Sequence, residues 1–575
     1  MGVSSQRFLS SSVFQPNSRF PEFTIPDGNF DFETNPFDDD NWRFQLNSLR
    51  AIESLFDDNI MENKEHFLAA LEHTIKWINC DNEIGNFGGF RWHDMATGLR
   101  AQKIALLCSL IPNFEIQPEY LILLRHTIAK HISKLSEPSF LAGSNHGIFQ
   151  MHGLMSLARI NPIFWTNFPH FDYGERDSEI PREEISGAIG YATKMMAKLV
   201  NSQFDSEGIH IENSPEYHFF MITTIEKILS SGWYDELQKS SSFTRIRKEA
   251  CWLLWPDGGI VPIGETSDTA KINNDWIEIE RKNHDSNLIS LDSDKQFHSK
   301  TLRESGYTVI RTPFKYASED SSMLFSTSSF NSHLKRHADD FNFLLFEKGG
   351  VVFSDPGKFS YNKKSKFRPF VRSTSAHNCL EIDGQDYPVS KEGFYKSALQ
   401  NLKVEKSAFH ISLYRKWEGI DCQHWRYLIY QPGEFIVVID AAKSLIRRNF
   451  KQWFHLSPSY SDITQGEGGD RLCFSGGPVP VAGKFFSSNI SEHTINVFRG
   501  SEDPIQGWIS PSYGEITPAY AFSSSLISDS PILGAIFSFS SDSPDLEITL
   551  DESEMKVIVS IDGNTNESLF HMVSN

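Results

Sequence analysis

Much that commonly organises a chain is scarce here. There are six cysteines in 575 residues, Cys80, Cys108, Cys251, Cys379, Cys422 and Cys473. None is spaced as CxxC and most lie in apolar runs, which argues against a disulfide framework and for buried thiols. The opening MGVSSQRFLSSSVFQPNSRF has no apolar stretch of signal-peptide length. No run approaches a membrane span. The expected location is therefore the cytoplasm as the sequence stands, or the periplasm if a leader was trimmed. No repeat of strict period is present. Positive charge is also short: 54 Lys and Arg against 74 Asp and Glu leave a formal charge of −20. That argues against non-specific nucleic-acid binding. It leaves an acidic ligand open, because binding follows local charge.

Aromatic residues are abundant, at 13 %, with 46 Phe. They predict deep cores, with Trp and Tyr left over to stack on sugar rings. The length suffices for two domains with full cores. Residues 1–40 read as an extended lead-in packed by its phenylalanines. From Asn41 apolar residues recur at helical spacing, through NWRFQLNSLRAIESLF and then Glu65–Ile78, Met95–Leu110, Glu119–Leu135, Gly147–Arg159, Ile185–Val200, Glu216–Ser230 and Ser242–Leu254. Residues 257–300 read as a polar linker and surface loops. From about Thr301 the period becomes 2, in runs such as FNFLLFEK, GGVVFSDPG and WRYLIYQPGEFIVVIDAA. Helices first and strands second argue for a helical domain, 41–300, then an antiparallel β domain of stacked sheets, 301–575, and against βαβ units.

Ionisable residues concentrate in Ser332–Gly384. Two alternating runs, Phe341–Phe346 and Gly350–Ser354, predict a strand pair. Around it stand His333, His337, Asp339, Asp340, Asp355 and His377, with Lys335, Arg336, Arg368 and Arg372 nearby. Strands fix side-chain directions, so such a pair can aim several His and Asp at one point, as a metal or acid/base site requires. The helical half carries three clusters. RWHDMATGLR sets Arg91, His93, Asp94 and Arg100 at a helix start, where Asp94 equally suits capping. GSNHGIFQMHG sets Asn145 and His146 at a helix N-terminus, whose N–H groups favour an anion; an ordinary Asn cap is the alternative. In DSEGIHIENSPEYHFFM, Pro215 suits a first turn and Tyr217 falls within it. There the positive helix end favours a phenolate, although packing would employ a tyrosine as well.

Taken together, these segments resemble the heparinase II/III-like family of polysaccharide lyases, from about Asn41 to Pro458. The resemblance rests on NWRFQLNSL, WHDMATGLR, the Asn145–His146 pair, ENSPEYH, HADDFNFLLFEKGGVVFSDPG, RSTSAHN and IDG, in that order. It implies an α/α toroid (an incomplete helical barrel) followed by an antiparallel β-sandwich. It implies β-elimination at a uronic acid of an acidic polysaccharide. Asn145 and His146 then match the carboxylate-binding positions, and Tyr217 the proton-transfer position. A histidine of the β domain assists in the family, which carries HxHAD there. Here Lys335 stands two residues before His337 and a histidine appears at His333, so that role passes to Lys335 or His333. His337, Asp355 and His377 match a structural zinc site of some members, with a metal-free hydrogen-bond cluster as the alternative. Arg91, His93, Arg100, Glu212, Tyr361 and Arg372 complete the substrate-binding candidates, and a homodimer is carried as an expectation. Two other readings stay open. One is a non-catalytic glycan-binding or polysaccharide-assembly protein on the same fold, which the Lys335 departure favours. The other is a glycoside hydrolase, which needs two opposed carboxylates, with Glu212 and Asp94 as candidates.

Overall fold

The computed structural model describes residues 8–9, 12–17, 20–26, 30–56, 60–84, 89–160, 182–267, 272, 288–291, 296–330, 332–360, 365–391, 395–405, 407–417, 419–466, 468–539, 546–551, 556–561 and 564–569. They form two compact units: residues 1–203 with 227–237, and residues 204–226 with 238–575. Among the described residues, no helix is long and apolar enough to cross a membrane.

The first unit is helical. Helix α1 (Asp40–Asn47) starts at Asp39, whose carboxylate accepts the N–H groups of Asn41 and Trp42. The sequence pattern runs on to Phe56, but Leu49 lies in the left-handed region (φ 56°) and the helix stops before it. A 3₁₀ turn, Arg50–Leu55, carries the remaining apolar residues inward. In the lead-in Phe14, Phe30 and Phe32 are buried, and Phe23 meets Trp42 edge to face. Then come α2 (Lys64–Ile84), α3 (Asp94–Leu110), α4 (Pro118–Ser136), α5 (Asn145–Ala158) and α6 (Arg182–Ser202). Two glycines set one contact that matters below. A Cβ on Gly98 of α3 would lie 2.5 Å from the carbonyl oxygen of Phe149, and one on Gly153 of α5 would lie 2.3 Å from that of Gly98. The two backbones therefore touch, side by side and in the same direction, and their N-terminal residues come together.

The second unit begins before the strands. Ser305 Oγ donates to Asp205 at 2.6 Å, and the N–H groups of Arg303, Glu304 and Ser305 donate to the Glu207 carboxylate at 2.8–2.9 Å. The Asn213 amide donates to the carbonyls of Ser332 and Leu334 at 2.9 and 3.0 Å. The first turns of α7 (Pro215–Leu229) are thus fixed to the strand-bearing unit. The expected surface linker after residue 257 needs correction: residues 259–266 are buried. Residues 273–287 of that stretch lie outside the described residues.

Every strand pair in the second unit's three large sheets is antiparallel. A six-stranded sheet runs from Ile289–Ser290 to Gly350–Phe353, an eight-stranded sheet has Phe435–Ser444 and Ile532–Ser538 at its centre, and a four-stranded sheet contains Arg448–His455 and Tyr520–Ser528. Phe353, Phe454, Phe474, Phe485, Phe522 and Phe537 meet in one core, with ring centroids as close as 4.8 Å. The strand pair of Ser332–Gly384 begins at Phe343, not Phe341, because Phe341 takes a left-handed conformation (φ 62°).

Candidate active site

Tyr217 lies in the first turn of α7. The chain ahead of it is fixed: Asn213 is left-handed (φ 51°), and Ser214 Oγ meets Thr266 Oγ1 at 2.9 Å. The Glu216 carboxylate takes Lys358 Nζ at 2.8 and 2.9 Å. Lys335, also left-handed (φ 52°), places Nζ 3.3 Å from the centroid of the Tyr217 ring. The same Nζ is 3.5 Å from Glu212 Oε2. An ammonium is drawn to the negative face of a ring, and the mostly buried Glu212 carboxylate anchors it. His333 is exposed on a cavity of about 460 Å³ that Asp205, His210, Asn213, Tyr307 and Lys391 also line. Of the two replacements for the family's histidine, Lys335 lies over the Tyr217 ring. His210 and His218 are buried and pushed down to about 3 by desolvation. They are neutral, and His218 Nδ1 accepts the His210 N–H at 3.1 Å.

His337, Asp355 and His377 are buried, with donor atoms all within 4.8 Å of one another. His377 Nδ1 donates to the Ser373 carbonyl at 2.7 Å. Its Nε2, 3.7 Å from Asp355 Oδ2, has no hydrogen-bond partner, and burial keeps the ring neutral, far below its ordinary value. His337 Nε2 meets Glu265 Oε1 at 3.4 Å, while its Nδ1 is likewise without a partner. Asp355 accepts from Asn342 Nδ2 at 3.0 Å and from the Gly357 N–H at 3.1 Å. Glu265 was not foreseen. Burial would raise its pKa, but His337 and Arg368, the latter at 2.5 and 3.1 Å, bring it down to about 2. The other acids of the motif are structural: Asp340 pairs with Arg336 and Arg415, and Asp339 lies 3.3 Å from Arg336. Asn378 ties the strands, donating to the carbonyls of Phe343 and Ser354 and accepting the His455 N–H.

In the first unit, α5 opens at Asn145, capped by Ser144, whose Oγ accepts the His146 N–H. His146 Nδ1 donates to both oxygens of Asp94, at 3.0 and 3.2 Å. Asp94 is the first residue of α3, and its own cap bond reaches only the Met95 N–H. His93 Nδ1 is 3.0 Å from Asp94 Oδ1 but not in line to bond. Its ring stacks on Phe90.

Two family models match the chain: Heparinase II/III N-terminus over residues 4–245, and Heparinase II/III-like, C-terminal over residues 294–560. The chain belongs to the heparinase II/III-like family. It is a polysaccharide lyase, a carbon–oxygen lyase, on the α/α toroid and β-sandwich fold. Its fold is similar to that of a solved heparinase III (TM-score 0.74, 15 % identity, covering 98 % of this chain and 89 % of that one). It is also similar to the heparan sulfate lyase HepC from Pedobacter heparinus (0.67, 16 %, 98 % and 88 %). A Paenibacillus xanthan lyase is more distant (0.55, 8 %, 94 % and 58 %). No curated protein matches the sequence.

Three substrate-binding candidates of this heparinase-like chain are placed differently from expectation. Arg100 is fully buried: Nε reaches His131 at 3.0 Å, Nη1 the Asn47 carbonyl at 2.6 Å, and the guanidinium lies 3.8 Å from the Trp77 ring. Arg91 is buried beside Asp81, at 3.6 Å. Both charges hold helices together and face no solvent. Arg372 is half-buried and donates to the Arg336 carbonyl at 3.0 Å, which braces the segment carrying His337. Tyr361 lies outside the described residues.

Proposed function

We propose that this lyase cleaves a uronate-containing acidic polysaccharide by β-elimination, with Tyr217 moving the proton. The observation that carries the reading is Lys335 Nζ, 3.3 Å over the Tyr217 ring and backed by Glu212. The C5 proton of a uronate becomes removable once the C6 carboxylate is neutralised. Asn145 and His146, at a helix N-terminus, suit that task. Tyr217 takes the C5 proton, the electrons form the C4–C5 double bond, the C4–O4 bond breaks, and Tyr217 returns the proton to the leaving O4. Tyr217 serves as the base, with the Lys335 ammonium over its ring and the positive end of α7 beneath it. A lysine cation thereby takes the place of the assisting histidine. The heparinase and heparan sulfate lyase activities named for the structural relatives support an acidic glycan as substrate.

The same reading assigns His337, Asp355 and His377 to zinc. Two imidazole nitrogens without partners and one carboxylate suit that ion, and Glu265 would orient His337 from behind. Bound there, the metal would cross-link three chain segments and take no part in proton transfer.

The test is incubation with a panel of uronate glycans while following the ultraviolet absorption of the C4–C5 double bond. Tyr217→Phe should abolish the signal and leave the thermal unfolding midpoint unchanged. A folded protein that yields no absorption on any glycan sinks the reading. Binding without product would point to a glycan-binding protein, and new reducing ends without unsaturation to a hydrolase.

A further inference from the structure

We infer that Asp94 is a positioning residue for the substrate's acid group: it holds the His146 ring by Nδ1 and so aims Nε2 at a uronate carboxylate. The inference rests on the proposed role of His146 and adds a residue to it.

The geometry is specific. Both Asp94 oxygens are within hydrogen-bond distance of His146 Nδ1, at 3.0 and 3.2 Å. A carboxylate can only accept, so Nδ1 carries a proton. The ring's remaining polar atom is Nε2, and the side chain is 36 % exposed, enough to meet a ligand. A neutral imidazole bonded this way would offer a lone pair at Nε2, which repels a carboxylate. A second proton makes Nε2 a donor, and the adjacent carboxylate compensates the added charge. Asp94 is available for this. Burial would raise its carboxyl, but the bonds from His146 and the Met95 N–H, with the charges of His146 and His93, hold it below the ordinary range, so it stays anionic. His93 makes no competing claim. Desolvation lowers it despite Asp94, and its Nδ1 is out of line. The touching backbones at Gly98 and Gly153 register α3 against α5, and that register sets Asp94 opposite His146.

The experiment compares affinities by calorimetry in the Tyr217→Phe background, which binds without turnover. The ligands are a uronate oligosaccharide and its carboxyl-reduced counterpart. Asp94→Asn should weaken binding of the uronate form about tenfold and leave the reduced form unchanged, and Asp94→Glu should restore most of the loss. A second arm is nuclear magnetic resonance of histidine-labelled protein. The His146 Nδ1–H should appear downfield in the wild type and be lost in Asp94→Asn. Equal weakening for both ligands, no weakening, or no such proton in the wild type overturns the inference. If Asp94→Asn does not fold, Asp94→Ser and Asp94→Glu carry the same comparison, with circular dichroism as the check. If Tyr217→Phe binds neither ligand, the functional reading fails, and the proton resonance alone still decides Asp94.

Discussion

Lys335 stands where the family resemblance leads one to expect a histidine, and it lies over the ring of Tyr217, the proposed proton-transfer residue. Lys335→Ala removes the ammonium that lies over the Tyr217 ring and is anchored by Glu212. The expected result is a fall in kcat of about 10²-fold or more with a smaller change in KM. Lys335→His should recover most of the rate, because an imidazolium can occupy the same face. An unchanged kcat in Lys335→Ala would remove the lysine from the mechanism. Tyr217, Asn145 and His146 were legible in the sequence because Ser, Pro and Asn mark helix starts locally. Asp94 was legible only as a helix-start acid, since its partner His146 is 52 positions away. Glu265 was hidden in a stretch that reads as loop, and what gives it meaning is Arg368, 103 positions on. Arg91 and Arg100 misled in the opposite sense. Charged residues are rarely buried, yet an acid, a carbonyl and aromatic faces satisfy these two inside.

At the scale of elements, the pairing of α3 with α5 carries the first unit's candidate site. Gly98→Ala would drive a methyl group into the carbonyl of Phe149. The expected cost is about 1–3 kcal/mol of stability, read as a lower thermal unfolding midpoint. A midpoint equal to the wild type would show that the backbones are less closely packed than the geometry states. The helices themselves were readable from period 3.6, and most ends moved by a few residues; the exceptions are Leu49, which turned left-handed, the helix expected to end at Ile78 that runs on to Ile84, and the one expected to reach Leu254 that ends at Glu249. Strands were harder. Tyr520–Ser528, with sequence YAFSSSLIS, lacks an apolar alternation, yet Ser523, Ser524 and Ser525 are all buried. Small hydroxyl residues fit beneath a sheet packed on large phenylalanines, and no pattern within the strand announces that.

For the whole molecule, the buried triad is the place where composition of a site and stability meet. Metal analysis of the purified protein should find zinc equimolar with the chain. A strong chelator should lower the unfolding midpoint, as should His377→Ala, and the two effects should not add, because binding to the folded state alone stabilises it. Protein without metal, insensitive to chelator, would leave a hydrogen-bonded cluster in its place.

By itself the sequence determined the order of the molecule, helices then antiparallel strands, because local periodicity records which face of each element is apolar. It also brought forward Tyr217 and the residues His337, Asp355 and His377 as candidates, because those residue types stand in recognisable local frames. The tertiary structure alone decided their company. Lys335 meets Tyr217, Glu265 stands behind His337, and Asp94 holds His146. Each of these is a contact between residues far apart in the chain, set by left-handed backbone positions and glycine contacts whose consequences appear only once the elements are packed.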